Sequence, residues 1–112
     1  MSHDVQIFLA NARLDDPAAK SALLAPLQDG GAIAKALVPG QTAFAFVYNI
    51  ESRTARYLVS DGEMISCFSL VGVTQEEGMA VANACEDKTD WSLNSFQTTA
   101  GRALGGSFVK FN

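Results

Sequence analysis

The sequence predicts a single α+β domain over residues 1–112, in which an antiparallel sheet of three to five strands carries N-terminal helices and one later helix. Three observations support this prediction. The length of 112 residues suits one hydrophobic core. Apolar residues at helical spacing give way to strict alternation after about residue 40. A helix-capping signal then follows the alternating region.

The N-terminal part of the chain is predicted to form helices. Four apolar residues between positions 5 and 12 recur at helical spacing, which indicates a short amphipathic helix. Asp16 suits an N-cap and Pro17 suits the first position of a second helix. This helix should end just before Pro26, because proline lacks the backbone donor that a helix interior needs. A brief helical turn over residues 32–37 completes this part.

The region from 42 to 71 is predicted to be a three-stranded antiparallel meander. Bulky residues alternate with small ones along its first strand, so one face carries rings and the other carries alanines and a valine. A reversal near Ser52 and an Asp61-Gly62 pair separate the strands. The Asp-Gly pair favours a type I′ turn, in which both central residues have positive φ.

The last third of the chain is predicted to hold one helix and one or two closing strands. Thr74 and Glu77 form a capping-box pattern for a helix that runs to about Glu86. Alternation around Trp91 and over 108–111 indicates the strands. The glycine-rich stretch from Gly101 to Gly106 is expected to be a mobile connection, with an anion cradle beside Arg102 as the alternative.

The net charge of the chain narrows the classes of partner that it could bind. Twelve acidic and eight basic residues give a formal net charge of −4, which disfavours nucleic-acid and membrane partners. No apolar window spans a bilayer and no secretion signal is visible, so a cytoplasmic location is expected.

Cys67 and Cys85 match no zinc or redox spacing. We expect buried reduced thiols, with a disulfide as the alternative.

Ordinary catalytic and metal sites have little support in this sequence. The chain has one histidine, His3, in a terminal stretch, which disfavours a histidine-based triad. The acidic residues gather at the two ends of the predicted late helix, where their oxygens do not converge on one cation. We therefore expect no catalytic residues, no metal site and no cofactor.

Two groups of side chains are candidates for binding. Trp91, Phe96 and Phe108 with Arg102 form either a surface recognition patch or part of the core. Tyr48, Tyr57, Arg56 and Arg102 are the polar groups that a ligand pocket or a histidine-independent enzyme would use. Whether a third surface is exposed depends on which side of the first meander strand the helices cover. If they cover only the alanine side of the first meander strand, its ring-bearing side becomes a platform for a partner or a second subunit.

The predicted element order resembles that of the small acidic chaperones of type III secretion and related bacterial domains. The resemblance lies in element order over most of the chain and includes no motif, so it implies no residue roles. The leading functional hypothesis is a non-catalytic protein-binding module of chaperone, inhibitor or adaptor type, which binds another protein or forms a homodimer. The alternative is a small-molecule or peptide-binding domain, or an enzyme that uses the tyrosine and arginine groups.

Overall fold

The computed structural model describes residues 5–27, 30–86, 88, 91–105 and 109–111. These residues form an α+β fold, which confirms the predicted fold class. The five strands are β1 (Val5–Arg13), β2 (Ala43–Asn49), β3 (Thr54–Ser60), β4 (Met64–Val71) and β5 (Val109–Phe111). The four helices are α1 (Pro17–Leu24), α2 (Gly30–Ala36), α3 (Gln75–Ala84) and α4 (Leu93–Ala103).

The described strands form one sheet in the order β2-β3-β4-β1-β5. The predicted meander is confirmed, since β2, β3 and β4 are successive neighbours in an antiparallel arrangement. The short strand β5 joins β1 in parallel, with Val5 opposite Val109 and Ile7 opposite Phe111. In this order β2 and β5 stand at the two ends of the sheet.

The predicted first helix is wrong, because residues 5–13 form strand β1. Val5 and Ile7 are buried while Gln6 and Phe8 are exposed, which is the alternation of a strand. A short apolar run fits both a helical and a strand template, and only its neighbours decide between them. Here β4 and β5 flank the segment and complete its backbone pairing. The resemblance in element order to the secretion chaperones therefore fails at the N-terminus.

The prediction of one later helix is also wrong, because α4 forms where a closing strand was expected around Trp91. The Ser92 hydroxyl accepts a hydrogen bond from the Ser95 backbone N–H at 3.2 Å and so caps the helix. Phe96 and Ala100, one turn apart, are its buried side. Part of the glycine-rich stretch, up to Ala103, belongs to α4 and not to a connection. The closing strand is β5.

The predicted starts of α1 and α3 are confirmed, while α2 begins at Gly30, two residues before the predicted start at 32. The Asp16 carboxylate accepts from the Ala19 N–H at 3.1 Å, and α1 begins at Pro17 and ends two residues before Pro26. At α3 the capping box is complete: the Glu77 N–H donates to the Thr74 hydroxyl at 3.1 Å, and the Thr74 N–H donates to the Glu77 carboxylate at 2.8 Å. Local side-chain chemistry thus sets where these helices begin.

The turn between β3 and β4 differs from the predicted type I′ geometry. Gly62 has a φ of 98°, but Asp61 does not have a positive φ. The Asp61 carboxylate instead accepts hydrogen bonds from the backbone N–H groups of Glu63 and Met64, at 2.9 and 2.8 Å. The Asp61 side chain therefore closes the turn together with a backbone hydrogen bond from the Asp61 N–H to the Met64 carbonyl at 3.3 Å.

Backbone proximity divides the chain into two compact units. We call Leu9–Val47 with Tyr57–Phe68 the α1–α2 unit, and Met1–Phe8, Tyr48–Arg56 and Ser69–Asn112 the α3–α4 unit. The core of the α1–α2 unit is a cluster of buried side chains from its helices, its strands and the segments that follow them: Leu14, Leu24, Leu27, Leu37, Leu58, Ile65 and Cys67. In the α3–α4 unit, the two helices pack together. Val81 of α3 and Phe96 of α4 are buried there.

Candidate functional site

The two faces of strand β2 have different environments. Ala43, Ala45 and Val47 pack against the core cluster of the α1–α2 unit. Because successive side chains of a strand point to opposite faces, Phe44 and Phe46 lie on the other side, which we call the ring face. Phe44 is 44% exposed and Phe46 is half-buried. The α1–α2 core covers the alanine side of this strand, while on the other side Phe44 is exposed and Phe46 and Tyr48 are half-buried.

The ring face is supported from within by the neighbouring strand. The rings of Phe46 and Tyr57 are in contact, with centroids 5.2 Å apart and planes tilted by 32°. Tyr57 is fully buried, while Leu58, the next residue of β3, belongs to the core cluster of the opposite face. The buried ring of Tyr57 therefore supports the ring of Phe46 and limits its freedom before any partner binds.

Uncharged polar groups lie on the same side of β4 and β1. Ser66 alternates with the core residues Ile65 and Cys67, which places it on the ring-face side. Its hydroxyl donates a hydrogen bond to the Asn11 side-chain oxygen at 3.0 Å. This pair links β4 to β1 on the same side of the sheet as the ring face, with β3 between them and β2, and it adds no charge.

The backbone edge of β2 is the second notable feature of this strand. Within the described part of the chain, β2 has a strand neighbour, β3, on one side only. Its sequence, AFAFVYN, contains neither proline nor a charged residue. Proteins usually protect edge strands with charges, proline or bulges, because an unprotected edge pairs with other strands. The sequence of β2 has none of the protecting residue types.

The tyrosine and arginine candidates occupy separate environments. The Tyr48 hydroxyl donates to the Val73 carbonyl at 2.8 Å, which fastens β2 to the segment before α3. Tyr57 is fully buried and Arg56 is half-buried. Arg102 is exposed in the last turn of α4, where a cation complements the helix dipole. The two tyrosines therefore have structural contacts, Tyr48 with Val73 and Tyr57 with Phe46.

The predicted patch around Trp91 is divided by the structure. Phe96 is fully buried, so it offers no surface to a partner and belongs to the core alternative. Trp91 is half-buried and Arg102 is exposed. Phe108 lies outside the described residues. The structure therefore leaves Trp91 and Arg102 as the accessible members of this group.

A lysine-centred cluster was missed by sequence reasoning. The Lys88 ammonium donates hydrogen bonds to the hydroxyls of Ser95 and Thr99, and it lies 5.7 Å from the centroid of the Trp91 ring. A lysine beside a serine occurs in some hydrolases. Here the ammonium is shared between two hydroxyls and an aromatic face, which fastens the segment after α3 to α4. Only the fold brings these residues together, so the sequence held no signal for them.

The cysteines are buried free thiols, as predicted. Burial raises the pKa of the Cys85 thiol, while the nearby charge of Lys88 lowers it in part. The net upward shift keeps the thiol protonated at neutral pH and makes it a poor nucleophile. Cys85 is therefore a packing residue of α3, not a reactive centre.

Within the described residues, no three His, Cys, Asp or Glu side chains gather in a way that could hold a metal ion. None of the helices in that part of the chain is long and apolar enough to cross a membrane. His3, on which the argument about histidine-based catalysis depends, lies outside the described residues.

Comparison with known proteins returns no match: no family model, no curated protein and no solved structure matches this chain. Any functional argument therefore depends on the geometry of the chain itself, above all on the ring face and the edge of β2.

Proposed function

We propose that this chain is a non-catalytic protein-binding module and that the ring face of β2 is its contact surface. The observation that carries this proposal is the asymmetry of the strand. Its alanine side packs on the core of the α1–α2 unit, while Phe44 on the ring face stays 44% exposed. Aromatic side chains in fixed positions are the residues that most often dominate protein interfaces.

The chemistry of the ring face suits an apolar segment of another protein. The residues that define it, Phe44 and Phe46, are uncharged, while the chain as a whole has a net charge of −4. Depletion of charge at the centre with charged residues elsewhere is typical of interfaces. The negative net charge of the chain would favour partners that carry basic residues.

The expected affinity is modest. Complete burial of a phenylalanine side chain is worth about 1.5 to 3 kcal/mol, and part of Phe44 is already buried. One or two such rings offset only part of the entropy cost of association. This magnitude suits a transient chaperone, inhibitor or adaptor contact better than a permanent complex.

Site-specific photo-crosslinking in the native host tests the proposal. A photoreactive phenylalanine analogue at position 44 is expected to capture the same partner protein reproducibly, identified by mass spectrometry. Phe8 provides a matched control, because it is also a strand phenylalanine and is 41% exposed, but it lies in the other unit. The analogue at position 8 should capture that partner far less.

Equal capture from positions 44 and 8 would show that exposure of a ring, and not the ring face, governs the contact. The proposal would also fail if position 44 captured no protein while the analogue-containing chain remained folded by circular dichroism.

A further inference from the structure

We infer that this chain has a binding site for a small organic carboxylate, in which the Arg56 guanidinium holds the carboxylate and Phe8 contacts the apolar part of the ligand. Phe8, Arg56 and Ser69, which lies between them, all belong to the α3–α4 unit. The site therefore goes beyond the proposed function, which uses the ring face in the α1–α2 unit.

The environment of Arg56 is the first observation. It lies in the interior of β3, a strand with neighbours on both sides, and its side chain is half-buried. Among the described residues, none forms an ion pair or a hydrogen bond with its guanidinium. Arg13, by contrast, is paired with Asp15 at 2.9 Å. A guanidinium that has lost part of its hydration without such a partner is stabilised by an anion that binds to it.

The pairing of β3 with β4 places Ser69 opposite Arg56. The Gly72 N–H donates a hydrogen bond to the Arg53 carbonyl at 3.0 Å. Counting three residues back along β4 and three forward along β3 leads from this bond to Ser69 and Arg56. The backbone bond that closes the turn between β3 and β4 gives the same register from the other end.

The pairing of β4 with β1 places Phe8 opposite Ser69. The Leu14 N–H donates a hydrogen bond to the Glu63 carbonyl at 2.8 Å. Counting six residues forward along β4 and six back along β1 leads from this bond to Ser69 and Phe8. The side-chain hydrogen bond between these two strands lies halfway along this count and agrees with it.

Arg56, Ser69 and Phe8 therefore form a row across three neighbouring strands, with their side chains on one side of the sheet. Neighbouring strands lie about 4.8 Å apart, so roughly 10 Å separates the Cα atoms of Arg56 and Phe8. The serine between them is small, and Phe8 is 41% exposed. One small molecule can thus reach the guanidinium with one end and the ring with the other.

Charge on this side of the sheet favours an anion. In the α3–α4 unit, the described residues of β1, β3 and β4 that share this side are Gln6, Phe8, Thr54, Arg56, Ser69 and Val71. None of these six is acidic, and only Arg56 is charged. A single cation without acidic neighbours on its own face attracts an anion even in a chain with a net charge of −4.

The chemistry of the row selects a carboxylate with an apolar group. Two N–H groups of a guanidinium match the two oxygens of a carboxylate in a bidentate pair. One cation neutralises a carboxylate, whereas a phosphate dianion keeps a charge that the negative chain repels. Phe8 and Val71 provide the apolar contact. Because the site is partly exposed and has one cation, we expect a dissociation constant of about 0.1 to 1 mM.

Titration of the full chain with phenylacetate tests the site. In two-dimensional proton–nitrogen NMR spectra, the backbone amide signals of Phe8, Arg56 and Ser69 should shift and reach saturation. Phenethyl alcohol, which lacks the charge, and acetate, which lacks the ring, should each bind at least about tenfold more weakly. Phenyl phosphate should also bind more weakly than phenylacetate, and the reverse order overturns the choice of a carboxylate.

Substitutions separate the guanidinium from the net charge. Arg56→Gln should weaken phenylacetate binding at least about tenfold. Arg102→Gln removes the same charge from an exposed position on α4 and should change binding by less than about twofold. Arg56→Lys keeps the charge and loses the planar fork, so it should also weaken binding. Circular dichroism checks folding, and Phe8→Ala, at an exposed position, should weaken binding about threefold or more if Arg56→Gln does not fold.

Three results overturn the inference. The first is the absence of saturable shifts up to about 10 mM phenylacetate. The second is equal binding of phenethyl alcohol, and the third is binding that persists unchanged in folded Arg56→Gln. None of these results alters the photo-crosslinking expected from position 44, so the two proposals fail separately.

Discussion

At the turn between β3 and β4, one carboxylate holds the backbone in place. Asp61 accepts two backbone N–H bonds, from Glu63 and Met64, and these bonds favour its charged form. The pKa of Asp61 is consequently lower than that of an ordinary aspartate. A depressed pKa in the folded state means that the carboxylate stabilises the fold while it is ionised.

This shift predicts a specific acid dependence. The contribution of Asp61 is present above the pKa of an unfolded aspartate, about 3.9, and is lost as pH falls through the lower folded value. Asp61→Asn should lower the melting temperature at pH 7, because it removes the charge from the turn. It should also flatten the decline of melting temperature between about pH 4 and pH 2. Thermal melts followed by circular dichroism over that range measure both effects.

Asp15→Asn is the control for this experiment. The pKa of Asp15 is also lowered, mainly by its hydrogen bond from Arg13, but both side chains are exposed. Exposed ion pairs contribute little to stability, so this variant should change the melting profile less. An Asp61→Asn profile parallel to that of the unmodified chain would contradict the role assigned to the turn.

At the scale of the elements, sequence signals differ in how local they are. The start of α1 at Pro17 and the capping box of α3 depend on atoms within four residues of each other, and both were predicted. The segment 5–13 was predicted as a helix and is β1. Its apolar residues fit either period, and the choice depends on β4 and β5 beside it.

Helix α4 was missed for a different reason. Its residues are mostly polar, and only Phe96 and Ala100 are buried. Leu93, Phe96, Ala100 and Ala103 nevertheless recur at helical spacing, and Ser92 stands in front of them as a cap. The signal was therefore present in the sequence, but the alternation of Trp91 and Leu93 was interpreted as a strand.

The burial of Phe96 leads to a prediction for α4. Phe96→Ala should reduce the free energy of unfolding by about 3 to 5 kcal/mol, because it leaves a cavity in the core of the α3–α4 unit. Arg102→Ala, on the exposed side of the same helix, should change it by no more than about 0.5 kcal/mol. Denaturant titration of both variants measures these values. A Phe96→Ala chain with unchanged stability and lost partner binding would return Phe96 to the recognition patch.

At the scale of the whole molecule, the two compact units share their strands. The boundary between them falls within β1, after Phe8, and within β2, after Val47. It crosses β3 and β4 in the same way. The length of the chain predicts that both units unfold together as one cooperative domain.

The cysteines allow a test of this cooperativity, because Cys67 lies in the α1–α2 unit and Cys85 in the α3–α4 unit. Both are buried, so both should react slowly with a thiol reagent in the native state. In increasing guanidinium chloride, both thiols should become reactive at the same midpoint. Mass spectrometry after labelling assigns each site. Two separate midpoints would show that the units are independent domains.

The sequence predicted the candidate site only on the condition that the helices cover one particular face of β2. The alternation from Ala43 to Val47 established that β2 has a ring-bearing and a small-residue face, but it did not show which face the helices cover. The position of β2 at the sheet edge also needed the strand order. The Lys88 cluster had no counterpart in the sequence, because its members meet only once α4 has formed.

The sequence by itself determined the features that arise from neighbouring residues: the starts of α1 and α3, the meander of β2, β3 and β4, and the two-sided character of β2. Tertiary structure alone decided that residues 5–13 are a strand and that Phe44 stays exposed while the alanine side of β2 is covered. The physical reason is the range of the interactions. Caps and alternation act over a few residues, whereas burial and strand pairing depend on surfaces that distant parts of the chain supply.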